Sequence, residues 1–152
     1  MRINYTKDIN NDRKNFDLQI MQDKDFFQIK CFSPDNEIMG FITFKKNINN
    51  LWILKLETNE KFFHQGVASA LIDITEYIAT INYLTRIEGK FMPDNEFARP
   101  FYEKNGYFVP NKTKSWDDYD ETWTLYKNLD PKKIKEKVTP NIKVNQEDEL
   151  EI

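Results

Sequence analysis

One cysteine, one histidine and four glycines are scattered through a chain of 152 residues, and these scarcities remove several possibilities at once. The single thiol, Cys31, has no partner for an intramolecular disulfide. It sits in the alternating run Phe26-Phe27-Gln28-Ile29-Lys30-Cys31-Phe32, where a small buried hydrophobe fits better than a nucleophile. No metal is expected. No apolar run reaches the length of a membrane span, and Met1-Arg2-Ile3-Asn4-Tyr5 does not lead into a signal-peptide hydrophobic region, so a cytoplasmic location is expected. Excess charge is lacking too. The 22 Lys and Arg against 25 Asp and Glu give a net charge of −3, and the basic residues form no stripe, which leaves no clear case for nucleic acid.

What the chain does have is enough apolar and aromatic material, 39% and 14%, for the core of one domain. The first fifteen or so residues are polar, with only Ile3, Tyr5 and Ile9 to anchor them, and are expected as one short, loosely held element. Phe16 to Met21, Phe26 to Phe32, Ile38 to Phe44 and Leu51 to Thr58 are β-branched and aromatic-rich segments separated by polar turns, which predicts an antiparallel meander. Trp52, Leu54 and Leu56 alternate with Leu51 and Ile53, as in a central strand covered on both faces.

Val67, Ala70, Leu71, Ile74 and Ile78 then recur at helical spacing, predicting a helix from Gly66 to about Thr80. Leu84 to Phe91 reads as a strand, parallel to the one before the helix because a crossover of this length brings the two side by side. A second, short helix is expected from the cap Asn95 to the Asn105-Gly106 stop, with Phe97 and Phe101 as core positions. Tyr107 to Val109 and Thr122 to Tyr126 close the sheet. The domain is expected over 1–129. Residues 130–152 read as a polar C-terminal tail, whose Ile142 and Val144 offer a contact for a partner.

The loop between Thr58 and Val67 has the character of an anion site. A helix N-terminus presents unpaired N–H groups and the positive end of the helix dipole, and Gly66 and Ala68 keep bulk away from it. Taken alone, such a turn is more readily explained by packing.

The motifs in these two segments resemble those of the GNAT superfamily of N-acetyltransferases. Its Arg/Gln-x-x-Gly-x-Gly/Ala loop is matched by Phe63-His64-Gln65-Gly66-Val67-Ala68, with Phe63 departing from the usual Arg or Gln. Its later Asn-x-x-Ala-x-x-x-Tyr-x-x-x-Gly-Phe/Tyr signature is met by Asn95, Ala98, Tyr102, Gly106 and Tyr107. The resemblance covers about Ile38 to Leu129. It implies an α+β fold in three layers with a mixed, mostly antiparallel sheet, splayed at a parallel β-α-β crossover. It also implies acetyl-CoA as cosubstrate and transfer of its acetyl group to a primary amine on a small molecule or a protein.

On the same resemblance the coenzyme is held by Phe63, His64, Gln65, Gly66, Val67, Ala68 and Ser69 at the loop, by backbone groups near Leu56 and Thr58, and by Asn95 and Tyr102. Lys61 stands near the loop as well. Tyr102 is the expected general acid for the departing thiolate. Glu57 is a candidate base acting through water, and an ordinary strand-end carboxylate is an equal reading of it. Asn95 is compatible with both a cap and a coenzyme contact. His64 is expected on the solvent or phosphate side. Trp116-Asp117-Asp118-Tyr119-Asp120-Glu121 suits either a cationic amine or a solvated hairpin tip. The alternative to an enzyme is a non-catalytic CoA-binding or protein-interaction module of the same fold. A homodimer through an exposed edge strand is compatible with the pattern.

Overall fold

A computed structural model describes residues 1–91, 97–110, 112–114 and 121–145. Its first five strands are β1 (Arg2–Ile9), β2 (Asp12–Asp23), β3 (Phe26–Phe32), β4 (Ile38–Lys46) and β5 (Asn50–Thr58). A 3₁₀ turn at Glu60–Phe62 leads to α1 (Val67–Ile81), followed by β6 (Arg86–Phe91), α2 (Ala98–Lys104), β7 (Lys112–Lys114) and β8 (Glu121–Asn128). The described chain ends with α3 (Pro131–Val138) and β9 (Ile142–Val144). One mixed sheet runs in the order β7-β8-β6-β5-β4-β3-β2-β1-β9, and every described pair except β5–β6 is antiparallel. This is the expected mixed, mostly antiparallel sheet with a parallel crossover.

The N-terminal residues are not a loose element. Ile3 and Tyr5 alternate with polar neighbours and are fully buried, and β1 pairs with β2 through a turn at Asn10 and Asn11, both left-handed. Asparagine tolerates that conformation, so an Asn-Asn pair makes a tight hairpin. Lys24-Asp25 turns β2 into β3 equally tightly. No helix intervenes before α1.

Nor is the segment after Leu129 a free tail. The Asp130 carboxylate accepts a bond from the Lys133 amide, Pro131 occupies the first turn, and Ile134 and Val138, four residues apart, are buried where α3 packs on α1. Four lysines in and around that pair hide it from any compositional reading. β9 then pairs with β1 of the same chain, Ile142 opposite Tyr5 and Val144 opposite Ile3. These two side chains, expected as a partner contact, cover the core's own edge.

α1 lies on one face of the sheet. Val67, Ala70, Leu71, Ile74 and Ile78 pack against Phe27, Ile29, Ile42, Phe44, Leu51, Ile53 and Ile87 to form the core. The opposite face carries Phe26, Phe32, Phe41, Trp52 and Tyr126, half-buried or exposed. Several of these have a cation above the ring: Arg2 over Phe32, Lys45 over Phe26, Lys55 over Phe41 and Arg86 over Tyr126. Cation–π contact helps to hold these rings at the surface.

Candidate active site

β5 changes character halfway along. Phe44 pairs with Ile53, but Thr43 pairs with Lys55, so Leu54 is the extra residue of a bulge. A bulge reverses the alternation of faces beyond it. Leu56, expected beside Trp52, therefore faces the core opposite Ile42, while Leu54 is half exposed. The expectation of a strand covered on both faces is thus corrected. The parallel ladder to β6 stops at the same place: its last pair is Ile53 with Gly89. β5 continues to Thr58, so the edge of residues 54–58 that turns toward β6 has no ladder partner among the described residues. Unpaired strand N–H and C=O groups form a template onto which an extended ligand can add.

The N-terminus of α1 follows directly. Asn59 caps the 3₁₀ turn, accepting from the Lys61 amide at 3.2 Å, and the backbone passes through left-handed His64 (φ 63°) to left-handed Gly66 (φ 83°), the helix cap. The first intrahelical bond is from the Ala70 amide to the Gly66 carbonyl, which leaves the amides of Val67, Ala68 and Ser69 without helical acceptors. No acidic side chain stands in that first turn. Backbone donors and the helix dipole together make this end suited to an anion. Gly66 serves packing as well: a Cβ there would lie 2.5 Å from Cδ1 of Ile9, which reaches under the loop from the end of β1.

The remaining expected residues distribute as follows. Phe63 is exposed and touches Phe97 at the start of α2, with ring centroids 6.4 Å apart. Phe97 is 67% exposed, so its expected core position is corrected; only Phe101 packs against the core. His64 is solvent-exposed and Gln65 half-buried. Lys61 turns away to pair with Glu37 at 3.0 Å. Glu57 is opposite Phe41, on the sheet face away from α1, and pairs with Lys55 at 3.4 Å. Asn95 and Trp116 to Asp120 lie outside the described residues.

Tyr102 is buried by rings. Phe91 stacks on it at 5.7 Å, and Phe101 and Tyr107 meet it edge-on at 5.2 and 5.4 Å. Its hydroxyl makes no hydrogen bond among the described residues. Desolvation raises its pKa well above the ordinary phenol value, so its hydroxyl keeps its proton at neutral pH.

Two buried carboxylates on α1, which the sequence reading missed, hold these elements together. Glu76 accepts from Tyr107 Oη at 3.0 Å and from Lys127 Nζ at 2.9 Å, and the same ammonium donates to the Asn105 carbonyl at the end of α2. Asp73, one turn earlier, accepts from Tyr5 Oη, Lys7 and Lys137 at 2.7, 2.6 and 3.0 Å. Burial raises the Glu76 carboxyl above its usual range; Lys127 and Tyr107 oppose that shift only in part. The legible signal was two acids a turn apart in an otherwise apolar helix. Through Glu76, Tyr107 and Lys127 the helix whose first amides lack helical acceptors is tied to the helix carrying Tyr102.

A depression lined by Asp25, Lys45, Lys46 and Asn47 to Asn50 lies at the β4–β5 turn, the opposite end of these strands from the start of α1. None of the candidate site residues lines it.

Among solved structures the fold is similar to that of a Bacillus anthracis protein described as a streptothricin acetyltransferase in complex with acetyl coenzyme A. The two share 24% identity over 72% of this chain and 66% of that one, with a TM-score of 0.65. The PaiA N-acetyltransferase of Thermoplasma acidophilum in complex with coenzyme A is 22% identical over 69% and 62% of the two chains, TM-score 0.61. For the Escherichia coli ribosomal-protein-S18-alanine N-acetyltransferase the values are 11%, 71%, 72% and 0.62. This chain thus spans 62% to 72% of those proteins' own length. No curated protein matches the sequence. The family model described as Acetyltransferase (GNAT) family matches residues 4–107, and the chain belongs to that family.

Proposed function

We propose that this protein transfers the acetyl group of acetyl-CoA to a primary amine by direct attack. The observation that carries the reading is the coincidence of three features: the open edge of β5 past Ile53, the free amides at the start of α1, and the Tyr102 hydroxyl. The coenzyme fits this set. Its pantetheine arm can add to the β5 edge near Leu56 and Thr58, and its pyrophosphate can meet the amides of Val67, Ala68 and Ser69.

The neutral amine attacks the thioester carbonyl, a C–N bond forms, and the resulting oxyanion is met by a backbone N–H of β5. The C–S bond then breaks. Tyr102 gives its proton to the departing thiolate and is later reprotonated from solvent. The attacking nitrogen, positively charged once the C–N bond has formed, gives up one proton to Glu57 through a water. Glu57 lies on the face away from α1, so the amine approaches from the side opposite the helices. With tight turns at Asn10-Asn11 and Lys24-Asp25 and no α-helix before α1, no helix walls that approach among the described residues, which favours a bulky acceptor such as a protein amine.

The test is release of free CoA thiol from acetyl-CoA in the presence of small amines, lysine peptides and peptide N-termini. Turnover with at least one acceptor is expected, and Tyr102→Phe should lower kcat roughly a hundredfold or more with CoA affinity retained. Full activity in that variant removes the acid role. Coenzyme binding with no turnover on any acceptor would favour the non-catalytic module, to which the replacement of the usual Arg or Gln by Phe63 lends some support.

A further inference from the structure

Phe63 and Phe97 come from different elements, one from the loop before α1 and the other from the first residue ahead of α2, yet they meet at the protein surface. Single exposed apolar side chains are ordinary. Here two phenylalanines, 43% and 67% exposed, lean on each other at a 55° angle beside an anion site. The His64 ring meets Phe63 edge-on at 6.3 Å, and its left-handed backbone turns the chain inward to the helix. Phe63 therefore stays at the outer rim while Gly66 reaches the amides.

We propose that Phe63 and Phe97 form a stacking platform for the adenine ring of the coenzyme, supplying through a π-face what the usual cationic or amide side chain supplies through polar contact. The inference rests on the coenzyme reading above. The order of parts agrees with it: thioester arm at the β5 edge, pyrophosphate at the α1 amides, purine at the exposed rim. Neither ring brings charge to the pyrophosphate, so the two contribute through the base alone.

The experiment is calorimetric titration of wild type, Phe63→Ala and Phe97→Ala with CoA and with phosphopantetheine, which lacks the adenosine portion. The platform predicts that each alanine variant loses CoA affinity roughly 5- to 150-fold, as found for one base–aromatic stack. Phosphopantetheine affinity should be unchanged, and Phe63→Trp should keep CoA affinity. Wild-type CoA binding that neither alanine variant weakens overturns the platform and leaves the coenzyme site standing. Equal losses for both ligands also overturn it, because the rings would then be supporting the loop. A wild-type protein that binds neither ligand overturns the coenzyme reading and the platform with it.

Discussion

Gly66 sits where fold and proposed function meet, and Gly66→Ala should damage both by a calculable amount. At φ 83° an alanine accepts left-handed backbone at about 1–2 kcal/mol. Its Cβ would also lie 2.5 Å from Cδ1 and 2.7 Å from Cγ1 of Ile9. Since the second of these atoms is near the base of a branched side chain, rotation of the tip alone does not clear it, and overpacking adds about 1–3 kcal/mol. The variant should therefore lose about 2–5 kcal/mol in urea unfolding, within the 5–15 kcal/mol of an ordinary domain. The two contributions separate in a double-mutant cycle. In an Ile9→Ala background the clash disappears and only the backbone cost remains, so a coupling of about 1–3 kcal/mol is expected. Additive effects, or a Gly66→Ala protein as stable as wild type, would refute the contact and the left-handed cap together.

Other perturbations have definite signs. Because burial holds the Glu76 carboxyl above its ordinary value, the folded state binds that proton more tightly than the unfolded chain does. The stability it contributes is full below the unfolded value of about 4.3 and is lost as pH rises through the raised folded value. Wild type should accordingly lose ground to Glu76→Gln over that window, and a pH-independent difference in unfolding free energy would contradict the assignment. Cys31 is fully buried, with its thiol pushed up to about 12 chiefly by desolvation, so disulfide reagents should label it only at the rate of unfolding. Labelling of the native protein at the rate of a free thiol would be contrary. Ile134→Ala should cost about 2–5 kcal/mol in chemical denaturation, whereas a free tail would lose nothing.

Much of this architecture was legible because the responsible signals are local. The meander showed in alternating apolar residues, and β3 has the predicted bounds, Phe26–Phe32. α1 followed from its apolar spacing and the glycine before it. Less legible were features that depend on what lies across from a residue. The bulge at Leu54 reverses the faces of Leu56 and Glu57, and no residue in the strand announces it. Ile3 and Tyr5 owe their burial to pairing on both sides, with β2 and with β9 from the far end of the chain. Asp73 and Glu76 look like an exposed polar stripe until Lys7, Lys127 and Lys137 arrive from three other elements. In α3 the opposite happened: Asp130-Pro131 and the Ile134–Val138 pair were readable start and packing signals, outvoted by the surrounding lysines. Of the candidate site, the loop glycine and the tyrosine stand in the sequence as residues, whereas the open strand edge was expected from the family resemblance alone, because unpaired backbone groups leave no mark in residue type.

The central claim is a coenzyme site at that edge, and thermal unfolding with and without acetyl-CoA tests it most directly. A ligand at a hundred times its dissociation constant stabilises the folded state by about 2.7 kcal/mol, which for a domain of this size raises Tm by about 5–10 °C. The account predicts such a rise, reproduced by CoA. An unchanged Tm at millimolar acetyl-CoA would contradict it.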